Sequence, residues 1–184
     1  MTPEVQKLAQ RAALLLRSTH FVTLATVSPT GEPWASTVGY VHTLDGSVRL
    51  VWYSMREARH SRNIEHQPLV TGSIFRTDLG ASAALGLDGL QFQARAQAVE
   101  GPRFEQTREH FYRLNFPDEQ VRRQWMLPES EFIGAGPRRF YEATLEAWWL
   151  LDVDQWLVDK RDMRIALPAP ATFVELAASG ALAA

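Results

Sequence analysis

The segment YSMREARHSRNI, residues 53–64, crowds Arg56, Arg59, His60 and Arg62 into two helical turns. Such a cluster can pair with carboxylates, point to water, or grip a phosphate through forked hydrogen bonds. Ser54 and Glu57 have the S-x-x-E spacing of a capping box, which predicts a helix starting directly after the strand VRLVWY. A helix start is a poor place for cations, because its unpaired N–H groups already carry partial positive charge. A bound dianion reverses that sign. Arg56, Arg59, His60 and Asn63 fall on one side of the predicted helix, where they would form a phosphate site together with those N–H groups.

Other chemistries find less support. The five histidines are scattered and no H-E-x-x-H is present, so no metal site is expected. There is no cysteine, which excludes disulfides and thiolate chemistry. No G-x-G-x-x-G follows a strand, and no serine sits in a nucleophile-elbow frame. Trp34 and Trp52 flank the basic segment and could stack on a planar ligand, although core or interface packing is the commoner use of tryptophan. The formal net charge of −2 provides no basic field for nucleic acid, so any anion site must be local. Without a signal-peptide pattern or an 18-residue apolar run, a cytoplasmic protein is expected, with no membrane span.

The elements that would position these residues follow from periodicity. Thr2-Pro3 starts a helix whose apolar face carries Val5, Leu8, Ala9, Ala12, Leu15 and Leu16. FVTLATVS and WASTVGYV read as strands around the turn Ser28-Pro29-Thr30-Gly31. Asp45-Gly46 joins VHTL to SVRLVWY as a hairpin. LVTGSIF, LQFQARAQAV and FYEATLEAWWLLDVD supply three more strands, with helices after Pro102 and Pro117. The fold class is therefore mainly β (α+β): five or six short antiparallel strands suggest a small β-barrel with peripheral helices, with a sandwich as the alternative. One domain is expected over residues 1–166, with 167–184 an Ala/Pro-rich tail that is peripheral or partly disordered. The small-residue stretch Thr77–Asp88 is expected to be a mobile loop or a weak short helix, and the place for substrate selection.

In this order, the residues resemble the flavin-binding split-barrel proteins related to pyridoxamine 5′-phosphate oxidase. The similarity is carried by FVTLATVSPTGEPWASTVGY, VRLVWYS, the Arg-His pair of EARHSRNIEHQPLVTGSIF, and GLQFQARAQAVEG, with a weaker echo in RRFYEATLEAWWLLD. It covers roughly residues 18 to 101. The resemblance implies a six-stranded, antiparallel split β-barrel with peripheral helices, non-covalent FMN, oxidation or reduction of a small organic substrate through the flavin N5, and a homodimer that builds the cofactor site at its interface. It places Ser36, Thr37, Val38, Gly39, Tyr40 and Val41 along the isoalloxazine ring, offering backbone groups to its polar edge. Tyr53 and Ser54 would lie near the ribityl phosphate, and Gln91 would face the cofactor from its own subunit or across the dimer interface. Arg59 and His60 would match a phosphate-binding pair that is commonly Arg-Lys; histidine there makes the charge pH-dependent. No catalytic side chain is implied. The same barrel type also holds deazaflavin or haem, and a flavin-binding regulatory or storage protein without turnover is a further alternative.

Overall fold

The second expected strand breaks at Tyr40, and that break shapes the sheet. In a computed structural model, which describes residues 2–79 and 86–182, β2 (Pro33–Gly39) ends just before Tyr40 and β3 (Val41–Thr43) begins just after it. The remaining strands are β1 (Phe21–Val27), β4 (Arg49–Met55), β5 (Leu69–Arg76), β6 (Asp88–Ala98), β7 (Arg138–Leu151) and β8 (Arg164–Ala166). They form one antiparallel sheet in the order β2-β1-β5-β6-β7-β4-β3, with β8 added beside β7. Its two ends, β2 and β3, are consecutive in the chain, so the sheet must curl until they meet. The result is a split barrel of eight strands among the described residues, the split second strand and β8 making up the difference from six.

Tyr40 fixes the corner. Its N–H donates to the His20 carbonyl at 3.0 Å, and its hydroxyl reaches the Leu16 carbonyl and the Thr19 hydroxyl at 3.3 and 2.8 Å. Burial pushes this phenol up to about 12, with the Thr19 bond opposing.

The helix α1 (Pro3–Ser18) is capped by the Thr2 side chain, as the sequence predicts, and packs Ala9, Ala12, Leu15 and Leu16 into the barrel. β4 is buried on both faces, which explains its unbroken apolar run. Leu50 and Trp52 join the barrel core, whereas Val51 joins Phe104, Phe111, Tyr112, Phe132 and Phe140 in a second core. That second core is covered by α3 (Arg103–Asn115), which α4 (Glu119–Trp125) follows. The helix α2 (Arg59–His66) packs on β1 and β2.

The C-terminal segment corrects an expectation. Residues 170–178 form α6 (Pro170–Ala178), which follows β8 and the short α5 (Val153–Asp159), and Phe173 is fully buried with its ring edge-on to Trp148, centroids 4.7 Å apart. The Trp148 indole N–H donates to the Pro168 carbonyl at 2.6 Å, and Leu167 and Leu182 join the barrel core. A composition of alanine and proline hides this docking, because two or three large side chains carry it.

Candidate cofactor site

The capping box does not form. β4 extends through Ser54 and Met55, which pair with Arg139 and Arg138 of β7, so ladder hydrogen bonds hold Ser54 in an extended conformation. A turn over residues 56–58 follows, and α2 begins at Arg59 with Ala58 as its N-cap, which contributes no side-chain hydrogen bond. The Ser61 hydroxyl donates to the Met55 carbonyl at 2.8 Å and ties this turn to the strand end. Glu57, released from capping, pairs with Arg62. The first turn of α2 therefore has no side-chain acceptor from its N-cap.

The basic residues separate accordingly. The Arg59 guanidinium lies over the Trp34 ring, 4.5 Å from its centroid, and donates to Glu32 Oε2 at 2.7 Å. Trp34 is oriented in turn by its indole N–H, which donates to the Ser36 hydroxyl at 2.9 Å. His60 turns inward and is buried, with no protein partner for Nε2 among the described residues. Burial lowers its pKa below the ordinary histidine value, so the ring is neutral at pH 7 and supplies no positive charge to a phosphate. Asn63 is also internal, donating to the Thr26 hydroxyl at 3.0 Å. The predicted one-sided cluster thus divides: Arg59 faces outward while His60 and Asn63 hold the helix to the barrel.

The other predicted positions scatter by strand parity. The side chains of Tyr40 and Val41 lie in the two cores, beyond the reach of a surface ligand. Tyr53 packs among Phe111, Phe132 and Phe140. Ser36 and Val38 are half-buried, whereas Thr37 and Gly39 are exposed on the opposite face of β2. Among the described residues, the far edge of β2 pairs with no strand, so its backbone groups there are open to a ligand or a partner.

Register brings Gln91 and Thr37 into one line. Thr37 opposes Thr23, Thr23 opposes Ser73, Ser73 opposes Gln91, and Gln91 opposes Trp149. Directly opposed residues share a face, so this is a polar row crossing four strands on the outside of the barrel, ending on Gln91 beside Trp149. Gln91 Oε1 accepts from Arg164 Nε at 2.8 Å. Gly72 allows the sheet to close up beneath the row: a Cβ there would lie 2.4 Å from the Phe92 ring and 2.6 Å from the Thr23 carbonyl. Thr23, Ser73, Trp149 and Glu32 were not predicted as site residues. Alternation marks their outward direction, but only the register aligns them.

A second polar cluster lies at the other side of β4. Glu142, almost fully buried, accepts from Gln97 at 2.9 Å and from both terminal nitrogens of Arg103, with Arg49 Nε at 3.8 Å. Burial would raise this carboxyl, but the hydrogen bonds from Arg103 and Gln97 and the two guanidinium charges outweigh it and hold the pKa below the ordinary value. The cluster borders a cavity of about 280 Å³ with Asp45, Thr43 and His110 on its wall. Its charges satisfy one another, so it is the weaker ligand site.

A sequence profile described as pyridoxamine 5′-phosphate oxidase matches residues 8–152. The chain belongs to the pyridoxamine 5′-phosphate oxidase family. Three similar solved structures, each under 20% identical, support the fold. A haem-binding protein from Mycobacterium smegmatis is 18% identical at a TM-score of 0.63, covering 95% of this chain and 62% of its own, so the present chain spans under two thirds of that protein. A FAD-binding protein from Mesorhizobium loti is 15% identical at 0.55, covering 75% of this chain and 89% of its own. A putative pyridoxamine 5′-phosphate oxidase from Listeria innocua is 18% identical at 0.55, with coverages of 79% and 98%. No curated protein sequence matches.

Two further expectations meet this pyridoxamine 5′-phosphate oxidase family member's structure. Residues 80–85 of the proposed selection loop lie outside the described residues; its flanks are held by Arg76–Asp78 and by Arg11–Asp88. Among the described residues, no group of three or more acidic or histidine side chains is placed to hold a metal, and no helix is long and apolar enough to cross a membrane.

Proposed function

We propose that this member of the pyridoxamine 5′-phosphate oxidase family binds FMN and acts as a flavin-dependent oxidoreductase on a small organic substrate. The observation that carries the reading is Arg59, stacked on Trp34 at the uncapped start of α2 and next to the open edge of β2. A guanidinium placed over an aromatic ring can offer its N–H groups to an oxyanion, and the adjacent helix N-terminus adds donors and a favourable dipole. The phosphate would sit there, near Ser54, while the isoalloxazine would lie along β2. His60 has no part in this arrangement at neutral pH, and of Tyr40 and Tyr53 only the backbone remains available. When bound, the flavin supplies the redox chemistry; the protein supplies position, electrostatics and access.

Replacing Arg59 with alanine is expected to weaken FMN binding by about 1–3 kcal/mol, as for loss of a charged hydrogen-bond partner. A visible-absorbance titration of folded wild type and R59A measures this directly. Equal affinities would remove the phosphate from this site. Because one protein of similar fold is described as haem-binding, haemin is titrated in parallel; a haem band with no flavin uptake would replace the cofactor and keep the fold.

We also infer a homodimer. The outer face of β1 and β5 exposes Phe21 (65%), Phe75 (61%), Leu69 and Val27 around the smaller Thr23, Ala25, Thr71 and Ser73. Apolar exposure of this kind, continuous with the polar row that ends on Gln91, suits a second copy of the same sheet. Sedimentation equilibrium should give twice the chain mass, and Phe75→Lys should shift it toward the monomer. A wild-type monomer at tens of micromolar would overturn the inference.

A further inference from the structure

Arg59 is not free to receive an anion. It already holds one: the Glu32 carboxylate, which comes from the turn between β1 and β2 and lies 2.7 Å from Arg59 Nη2. Both side chains are substantially exposed, at 42% for Arg59 and 67% for Glu32, so neither the core nor the strand pairing requires the contact. We propose that Glu32 is an internal competitor for the phosphate subsite, engaging Arg59 Nη2 and so setting how tightly a phosphate-bearing ligand is held. The proposal rests on the phosphate reading of Arg59 given above.

Three features make Glu32 suited to this role. The guanidinium is positioned by two separate contacts: Trp34 beneath it and Glu32 at its edge. Removing the carboxylate leaves the stacking contact, so Arg59 stays oriented while its fork is exposed. A carboxylate also has the planar two-oxygen geometry that a guanidinium uses for phosphate, so it competes for the same donors instead of merely lying close. The turn that carries Glu32, moreover, does not depend on its side chain. Ser28 N–H donates to the Glu32 carbonyl at 2.9 Å, and Glu32 N–H donates to the Ser28 hydroxyl at 3.0 Å. Substitution at residue 32 therefore changes the charge while sparing the loop. A phosphate entering beside an unmoved Glu32 would meet a like charge, so binding requires the carboxylate to swing into solvent, which its exposure permits.

The consequence is a selectivity that depends on the phosphate. A flavin without phosphate neither displaces Glu32 nor gains from its removal. The experiment titrates wild type, E32Q and R59A with FMN and with riboflavin at low ionic strength, where exposed ion pairs are least screened. E32Q should bind FMN about three- to tenfold more tightly than wild type, the scale of one exposed ion pair plus the relief of a neighbouring like charge, and riboflavin affinity should not change. Unchanged FMN affinity in E32Q, with R59A weakened, would overturn the competitor role and leave the phosphate reading standing. FMN affinity unchanged in both variants would overturn both. A gain in E32Q shared equally by riboflavin would place the effect outside the phosphate subsite and overturn the proposal as well.

Discussion

Glu142→Ala should destabilise the fold by about 3 kcal/mol, the lower end of the range for breaking a buried ion pair. Glu142 is 2% exposed and neutralises two guanidinium groups, from Arg103 and Arg49. Arg103 is half exposed and can turn to water once released, which limits the cost. Arg49 is mostly covered and cannot, but its Nη2 keeps Asp45 at 3.2 Å, so its share of the penalty is the loss of one of two carboxylate partners. Gln97 also loses its acceptor. Urea denaturation at pH 7 measures the change; a loss below 1 kcal/mol would mean that the pair contributes as little as a surface one. The pH dependence provides an independent check. The folded carboxyl titrates below its ordinary value of 4.5, so its contribution is fully present above that pH and disappears as the pH falls through the folded pKa. The stability curve of the variant should accordingly be flatter than that of wild type in the acid range.

Phe173→Ala should cost about 3–5 kcal/mol, the usual range for removing a buried phenylalanine. Phe173 has no exposed surface, and its ring edge meets the Trp148 face on β7. Truncation would leave a void between α6 and the sheet that neither rigid element can close. The Pro168 carbonyl bond to Trp148 and the Ala181 carbonyl bonds from Gln6 and Gln10 hold the same segment in place from both sides. Thermal unfolding followed by tryptophan fluorescence tests this, because Trp148 itself reports on the packing. A change of less than 1 kcal/mol would return residues 167–184 to the status of a peripheral tail.

The two substitutions probe parts of the chain that differ in how well the sequence exposes them. Strands show plainly: β-branched and aromatic runs, the Asp45-Gly46 turn and the prolines at helix starts each act within a few residues, and β1, β5, β6 and the β3–β4 hairpin lie close to where these signals put them. The start of α2 does not, because the capping-box spacing of Ser54 and Glu57 competes with two ladder pairs to β7, and the pairs win. A residue more than eighty positions away decides whether Ser54 is strand or cap.

The site shows the same division. Local sequence was enough to single out the basic segment of Arg56, Arg59, His60 and Asn63, and the family resemblance drew Arg59 and His60 from it. The inward turn of His60 depends on where the helix begins, and so on the strand before it. Glu32 meets Arg59 across 27 residues, and Thr37, Ser73 and Gln91 line up only because each strand has one register with its neighbour. The sequence by itself determined the family, through the order of its strand and turn segments, and the antiparallel strands, through periodicity and short-range turn chemistry. Tertiary structure alone decided which side chains share a face, which carboxylate Arg59 holds, and that the last helix belongs to the core, since each depends on contacts between residues distant in the chain.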